Sequence, residues 1–269
     1  MARARWAGLI AALAGAILGF AGPAAAGPFS DWAAVVVAGD WHAHSGGPSE
    51  AFDNARRDVS RALEAAGFER TNLRQFSVRP ERYRDGPLKA DPVRIYETLG
   101  QLTAQAPGGC LFYFTSHGAP QGVVLDQGLM PPGMLGAMLD RTCAGRPTVV
   151  VLSACFSGVF IPALARSNRM VLTAARPDRT SFGCGEADKY PYFDDCFLQS
   201  MRGAADFAAL AGAVQSCVAR REIAEGVRPP SEPQVFIGPA LRPMLPLLSF
   251  ASAPATTGAC GAAPAAKAC

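Results

Sequence analysis

The sequence predicts an α/β fold, a three-layer α/β/α sandwich around a mostly parallel six-stranded sheet. Residues 33–38, 73–78, 110–115, 148–153, 170–174 and 235–238 form short apolar runs rich in Val, Ile, Leu or Phe. They lack the polar alternation of a half-solvated strand, so each is expected to be buried on both faces. Stretches with helical spacing lie between several of them, and strands alternating with helices imply parallel pairing with helices on both sides.

The helical elements follow in chain order. Ser49 is placed to cap a helix that carries Val59, Ala62, Leu63 and Ala66 on one face and stops at Gly67. Asp91-Pro92 opens a second, with Val93, Tyr96, Leu99 and Leu102 on its apolar side. Asp206 opens a third, with Phe207, Leu210, Ala211, Val214 and Val218 at helical spacing. Asn54, Arg56 and Arg57 read as a solvated turn of the first helix. No internal repeat is visible.

The ends differ from this pattern. Arg3 and Arg5 precede an uncharged apolar run over residues 6–21, followed by Gly22-Pro23-Ala24-Ala25-Ala26. The run is short of the roughly 20 apolar residues of a spanning helix and ends in small residues, so residues 1–26 are expected to be a signal peptide cleaved near Ala26. This predicts a periplasmic or secreted bacterial protein with no stable membrane insertion after cleavage. Residues 251–269, rich in Ala, Gly and Pro, read as a flexible tail, leaving 27–250 as the folded body.

Composition narrows the function classes. Of 269 residues, 49% are apolar and 17% charged, which excludes a disordered or fibrous chain. Without Arg3 and Arg5 the net charge falls from +3 to +1, arguing against nucleic acid as a partner. There is no Gly-x-Ser-x-Gly elbow, phosphate loop or dinucleotide fingerprint, so neither a serine hydrolase nor a bound cofactor is expected. Nothing in the sequence speaks to oligomeric state.

All eight cysteines follow residue 26. In an oxidising compartment disulfides are expected. Cys184 with Cys196 and Cys260 with Cys269 are the favoured pairs, with Cys110–Cys143 a further candidate at the amino end of the sheet and Cys217 expected in the core.

Sites of parallel α/β sheets lie at the carboxyl ends of the strands. The third run continues as Thr115-Ser116-His117-Gly118, and the fourth as Ser153-Ala154-Cys155-Phe156-Ser157-Gly158. If these strands are neighbours, the imidazole of His117 and the thiol of Cys155 converge, and a thiol beside an imidazole is an activated nucleophile. The backbone N–H groups of Gly118 and Cys155 are candidate oxyanion donors. On spacing alone, a catalytic pair and two packed structural residues are both open readings.

The two segments resemble the His-Gly and Ala-Cys-x-Ser-Gly motifs of legumain-type cysteine peptidases, the asparaginyl endopeptidases, relatives of caspases that also include the transamidase subunit attaching GPI anchors. The opening strand, the helix around Asp53-Asn54-Ala55-Arg56-Arg57-Asp58 and the stretch from Val171 to Cys184 extend the similarity over most of the body. The resemblance implies a caspase-like fold, a protein or peptide substrate, Cys155 as nucleophile, His117 as acid and base, and Gly118 with Cys155 at the oxyanion. It also implies substrate contacts at Ser153, Ser181 and Asp195, with Thr180 and Phe182 in the pocket wall. Ser153 stands where the family commonly has a polar or acidic residue, and no basic partner follows the first strand. Asn and, as a minority reading, Arg or Lys are therefore both open at P1. Asp40 is a possible third catalytic residue. Asp194 and Asp195 read either as loop acids or as pocket acids.

Two other functions compete. His42, His44 and His117 would suit a zinc metallohydrolase if they converged. A catalytically silent caspase-fold binding protein is the second.

Overall fold

The computed structural model describes residues 27–251. The expected signal peptide, and the tail beyond Ala251 with its Cys260–Cys269 pairing, lie outside the described residues. The sheet has seven strands rather than six: β1 (Trp32–Ala38), β2 (Leu73–Ser77), β3 (Leu88–Lys89), β4 (Gly109–Thr115), β8 (Thr148–Ser153), β9 (Arg169–Thr173) and β10 (Gln234–Ile237). Their order is β10-β9-β8-β4-β1-β2-β3, all parallel except β10, which pairs antiparallel with β9. β3 escaped prediction because two residues carry no period, and it pairs only Phe76 with Leu88 and Ser77 with Lys89. A separate three-stranded meander, β5 (Gly118–Ala119), β6 (Gly122–Leu125) and β7 (Gly128–Met130), grows directly out of the end of β4.

Every residue of β1, β4, β8 and β9 is buried, as uninterrupted apolar runs require. Alternate residues feed two cores. On one face Ala34, Val36, Leu111 and Val151 pack against α1 (Ala51–Ala65), α5 (Tyr192–Met201) and α6 (Phe207–Ala224). On the other, Val35, Val37, Phe112 and Val150 pack against α2 (Pro92–Gln105), α3 (Pro132–Thr142) and α4 (Ile161–Leu164).

Asp91 and Asp206 cap α2 and α6 as their positions predict, accepting the N–H of Arg94 and Ala209. Several local expectations are overturned. Glu50, not Ser49, is the N-cap of α1, and Ser49 instead accepts the N–H of Ala51. The core side of α2 is Ile95, Leu99 and Leu102, so Val93 is 64% exposed; the two apolar stripes differ by a fraction of a turn. Arg56 is fully buried, not solvated. Its guanidinium bonds Asp53 and Asp85 at 2.8 Å each, and Gln75, and stacks over Tyr83, which satisfies a charge that burial would otherwise make costly.

Among the described residues the disulfides are Cys110–Cys143 and Cys196–Cys217. The first is one of the predicted pairs. The second replaces the expected Cys184–Cys196 bridge and removes Cys217 from the list of plain core residues. Residues 192–201 form a helix, not a loop, so Cys196 turns toward α6 while Cys184 stays free. Cys196–Cys217 closes a loop of sequence separation 21, worth about 3 kcal/mol by the chain-entropy relation. A Cys196→Ala/Cys217→Ala protein is expected to melt several degrees lower, at about 2–4 °C per kcal/mol, in calorimetry against wild type. An unchanged midpoint would show that the bridge contributes nothing.

Candidate active site

β1, β4 and β8 are consecutive in the sheet, and their carboxyl ends are level because of register: Ala38 faces Thr115, and Thr115 faces Ser153. Two residues beyond each of these last two partners come His117 and Cys155. From β1 the chain turns out to β2 on one side, while β4 lies on the other, so a crevice opens where the loops leaving β1 and β4 part.

The loop after β1 reaches His117 through its backbone. His117 Nε2 lies 2.9 Å from the His42 carbonyl oxygen. A carbonyl only accepts, so Nε2 carries the hydrogen and Nδ1 of the neutral ring is the free base. Asp40 makes that carbonyl rigid: its Oδ1 accepts the N–H of Trp41 at 2.6 Å, the N–H of His42 at 3.1 Å and Nδ1 of His42 at 2.7 Å. Asp40 therefore orders the His42 main chain and does not touch His117. Phe52 packs edge-on against the His117 ring. The meander holds the other side, with Val124 donating its N–H to the His117 carbonyl at 2.9 Å.

Cys155 is free and half-buried. Its thiol lies against Ser181: the Ser181 N–H points at the sulfur at 3.2 Å, and the Ser181 carbonyl and hydroxyl lie at 3.5 and 3.6 Å. The chain turns sharply after it. Phe156 has φ of 57°, a left-handed conformation costly to a residue with a side chain, and its N–H is held by the Arg179 carbonyl at 2.7 Å. Gly158 packs where a Cβ would meet Pro177 at 2.6 Å. The second free thiol, Cys184, is pushed up to about 11, first by burial and then by Cys155, so it stays protonated at neutral pH.

The other sequence candidates fall as follows. Gly118 lies against Cys155: a Cβ there would sit 2.1 Å from the Cys155 carbonyl oxygen. Ser153 is buried and donates to Asp194 at 2.7 Å. Asp195 forms an ion pair with Arg221 of α6. His42 is committed to Asp40 and His44 is exposed, and among the described residues no three His, Cys, Asp or Glu side chains are gathered as a metal would need. A cleft of about 460 Å³ beside Cys184 is lined by Ser45, Gly185, Glu186, Ala187 and Asp188.

Two groups went beyond the sequence reading, one unseen and one read only as a loop or pocket acid. One is the His42 carbonyl, which has no side-chain signature. The other is Asp194, fully buried and pushed up to about 6 by desolvation against the opposing hydrogen bonds of Tyr113, Ser153 and Thr115. The folded state binds this proton more tightly than the unfolded chain does. Asp194 is therefore neutral in both states well below pH 4, and its ionisation costs the fold about 3 kcal/mol by pH above 6.

Residues 102–215 match the Peptidase C13 family, the legumain family, a span that holds both His117 and Cys155. No curated protein sequence matches the chain. Among solved structures, caspase-1 from Spodoptera frugiperda is similar at a TM-score of 0.57 and 15% identity, over 79% of this chain and 88% of that one. The fold is caspase-like, and fold and family match together support a cysteine peptidase.

Because the Gly118 clash is with main chain, no rotamer relieves it. Gly118→Ala is expected to lower kcat/KM by about 100-fold with far-UV circular dichroism unchanged, the cost of moving reacting groups by about 1 Å. Activity within a factor of about two of wild type would show that this contact does not set the site.

Proposed function

We propose that the protein is an exported cysteine endopeptidase in which Cys155 attacks a peptide carbonyl and His117 moves the proton. The observation that carries this reading is the hydrogen bond from His117 Nε2 to the His42 carbonyl, which leaves Nδ1 as the basic atom on a strand tip neighbouring that of a free thiol. His117 Nδ1 takes the thiol proton, and the sulfur bonds to the carbonyl carbon. The oxyanion that forms is held by the N–H groups of Gly118 and Cys155, donors worth roughly 3–4 kcal/mol each in acyl transfer. The C–N bond breaks as His117 returns the proton to the leaving amine. Water, deprotonated by His117, then cleaves the thioester and restores the thiol.

We assign substrate contact to Ser181, whose polar atoms surround the sulfur. Ser153 and Asp195 shape the pocket from behind, since Asp194 and Arg221 engage their polar atoms. Asp40 supports catalysis through the His42 carbonyl. Asn at P1 is the first reading, taken from the resemblance of the His117 and Cys155 segments to those of asparaginyl endopeptidases. A basic P1 residue is the second reading, favoured by the cleft in which Glu186 and Asp188 stand without a basic neighbour in the lining. Two disulfides suit an oxidising compartment, and among the described residues no helix is long and apolar enough to cross a membrane.

An activity-based thiol probe is expected to label wild type, to leave Cys155→Ala unlabelled, and to label His117→Ala about 10²- to 10⁴-fold more slowly. Equal labelling of all three would overturn the assignment. In a P1 peptide library, cleavage after Asn supports the first specificity and cleavage after Arg or Lys the second. Cleavage after neither contradicts both.

A further inference from the structure

Beneath the two strand tips lies a carboxylate that the proposed reaction does not consume. Asp194 Oδ2 accepts the Thr115 hydroxyl at 2.9 Å and the Ser153 hydroxyl at 2.7 Å, and Oδ1 accepts the Tyr113 hydroxyl at 2.5 Å. Thr115 and Ser153 are direct partners across β4 and β8, and each stands two residues ahead of a member of the reacting pair. Past this point the ladder keeps one more bond, from Ser116 N–H to the Ser153 carbonyl at 3.0 Å, before one strand enters the meander and the other the left-handed turn at Phe156. One carboxylate oxygen thus ties the ends of both strands at the last level where they are still paired.

We propose that Asp194 is a positioning residue that fixes the separation of the His117 imidazole and the Cys155 thiol by clamping the ends of β4 and β8 through Thr115 and Ser153. The proposal rests on the reading of Cys155 and His117 as the reacting pair. Three features of the surroundings support it. Asp194 is wholly buried with no ion-pair partner among the described residues, and the like-charged Asp195 beside it adds to the cost of its charge. An apolar side chain would fill the same space without the desolvation cost, so packing alone does not account for a carboxylate here. The helix that carries it is itself anchored, because the next two residues both join α5 to α6: Asp195 through Arg221 and Cys196 through Cys217. A rigid base, two short arms of equal kind and two reacting groups at fixed offsets make a gauge for the gap between them, and a 1 Å error in such a gap costs about 100-fold in rate.

The test uses the full chain with a fluorogenic peptide that wild type cleaves. Asp194→Asn is expected to lower kcat by about 10- to 100-fold at little changed KM, without lowering the thermal midpoint at pH 8. The rate of Cys155 alkylation by iodoacetamide falls with kcat. Ser153→Ala and Thr115→Val, which remove one arm each, reduce kcat less, and adding either to Asp194→Asn causes little further loss, because all three act through one clamp. If Asp194→Asn does not fold, the two single-arm variants decide: loss of kcat with KM retained supports the clamp, and wild-type kcat in both overturns it. Wild-type kcat in a folded Asp194→Asn protein, full additivity of the variants, or a change confined to KM for particular P1 residues each overturns it as well. Wild-type cleavage that survives Cys155→Ala would instead overturn the reading of Cys155 as the nucleophile, leaving the two failures distinct.

Discussion

The pairing of β4 with β8 in one register is the constraint on which the site depends. Thr115 opposite Ser153 puts the chain leaving each strand at the same height, and two residues suffice to carry an imidazole and a thiol to one edge of the sheet. A slip of one residue would turn both faces of a strand inside out, and here both faces are core, so many buried side chains specify that register. The chemistry of the site thus draws its precision from the packing of Val, Leu and Phe side chains far from any substrate.

Backbone groups do much of the remaining positioning. The His42 carbonyl selects the His117 tautomer, the Ser181 N–H points at the Cys155 sulfur, and the left-handed turn at Phe156 lifts the chain away from that thiol. These groups are dependable only if their loops are rigid. Asp40 supplies rigidity after β1 with three hydrogen bonds to adjacent residues, and Trp41 is further held under the Arg79 guanidinium, 4.2 Å from the ring centroid. Charged side chains are therefore buried near the site in the service of geometry, at a cost in desolvation that Arg56 offsets with two carboxylates and Asp194 does not.

Legibility followed burial. β1, β4, β8 and β9 were readable because a strand buried on both faces needs an unbroken apolar run, and the positions of His117 and Cys155 came with them, whereas β2 and β10, expected to be buried in the same way, are partly exposed at Arg74 and Gln75 and along all of 234–237. β3 was not, since two residues show no period, nor was α5, whose Asp194-Asp195-Cys196 resembles a polar loop until its acids are seen engaged. Disulfide connectivity depends on which faces of α5 and α6 meet, a tertiary fact, so Cys196 found Cys217 rather than Cys184. Arg56 looked solvated because a charge signals water unless its partners are known, and Asp85 and Gln75 lie far along the chain. The metal reading failed for a related reason: the spacing of His42 and His44 suggests convergence, whereas the loop commits one ring to Asp40 and leaves the other in solvent.

The central claim is that Cys155 and His117 meet a substrate carbonyl between them, with Gly118 at its oxygen. A crystal structure of the protein with a peptidyl aldehyde tests it most directly. The account predicts continuous density from Cys155 Sγ to the aldehyde carbon, with the resulting oxygen about 3 Å from the Gly118 N–H and His117 Nε2 still on the His42 carbonyl. An adduct on Cys184, or an adduct on Cys155 whose oxygen faces away from Gly118 and His117, would contradict it.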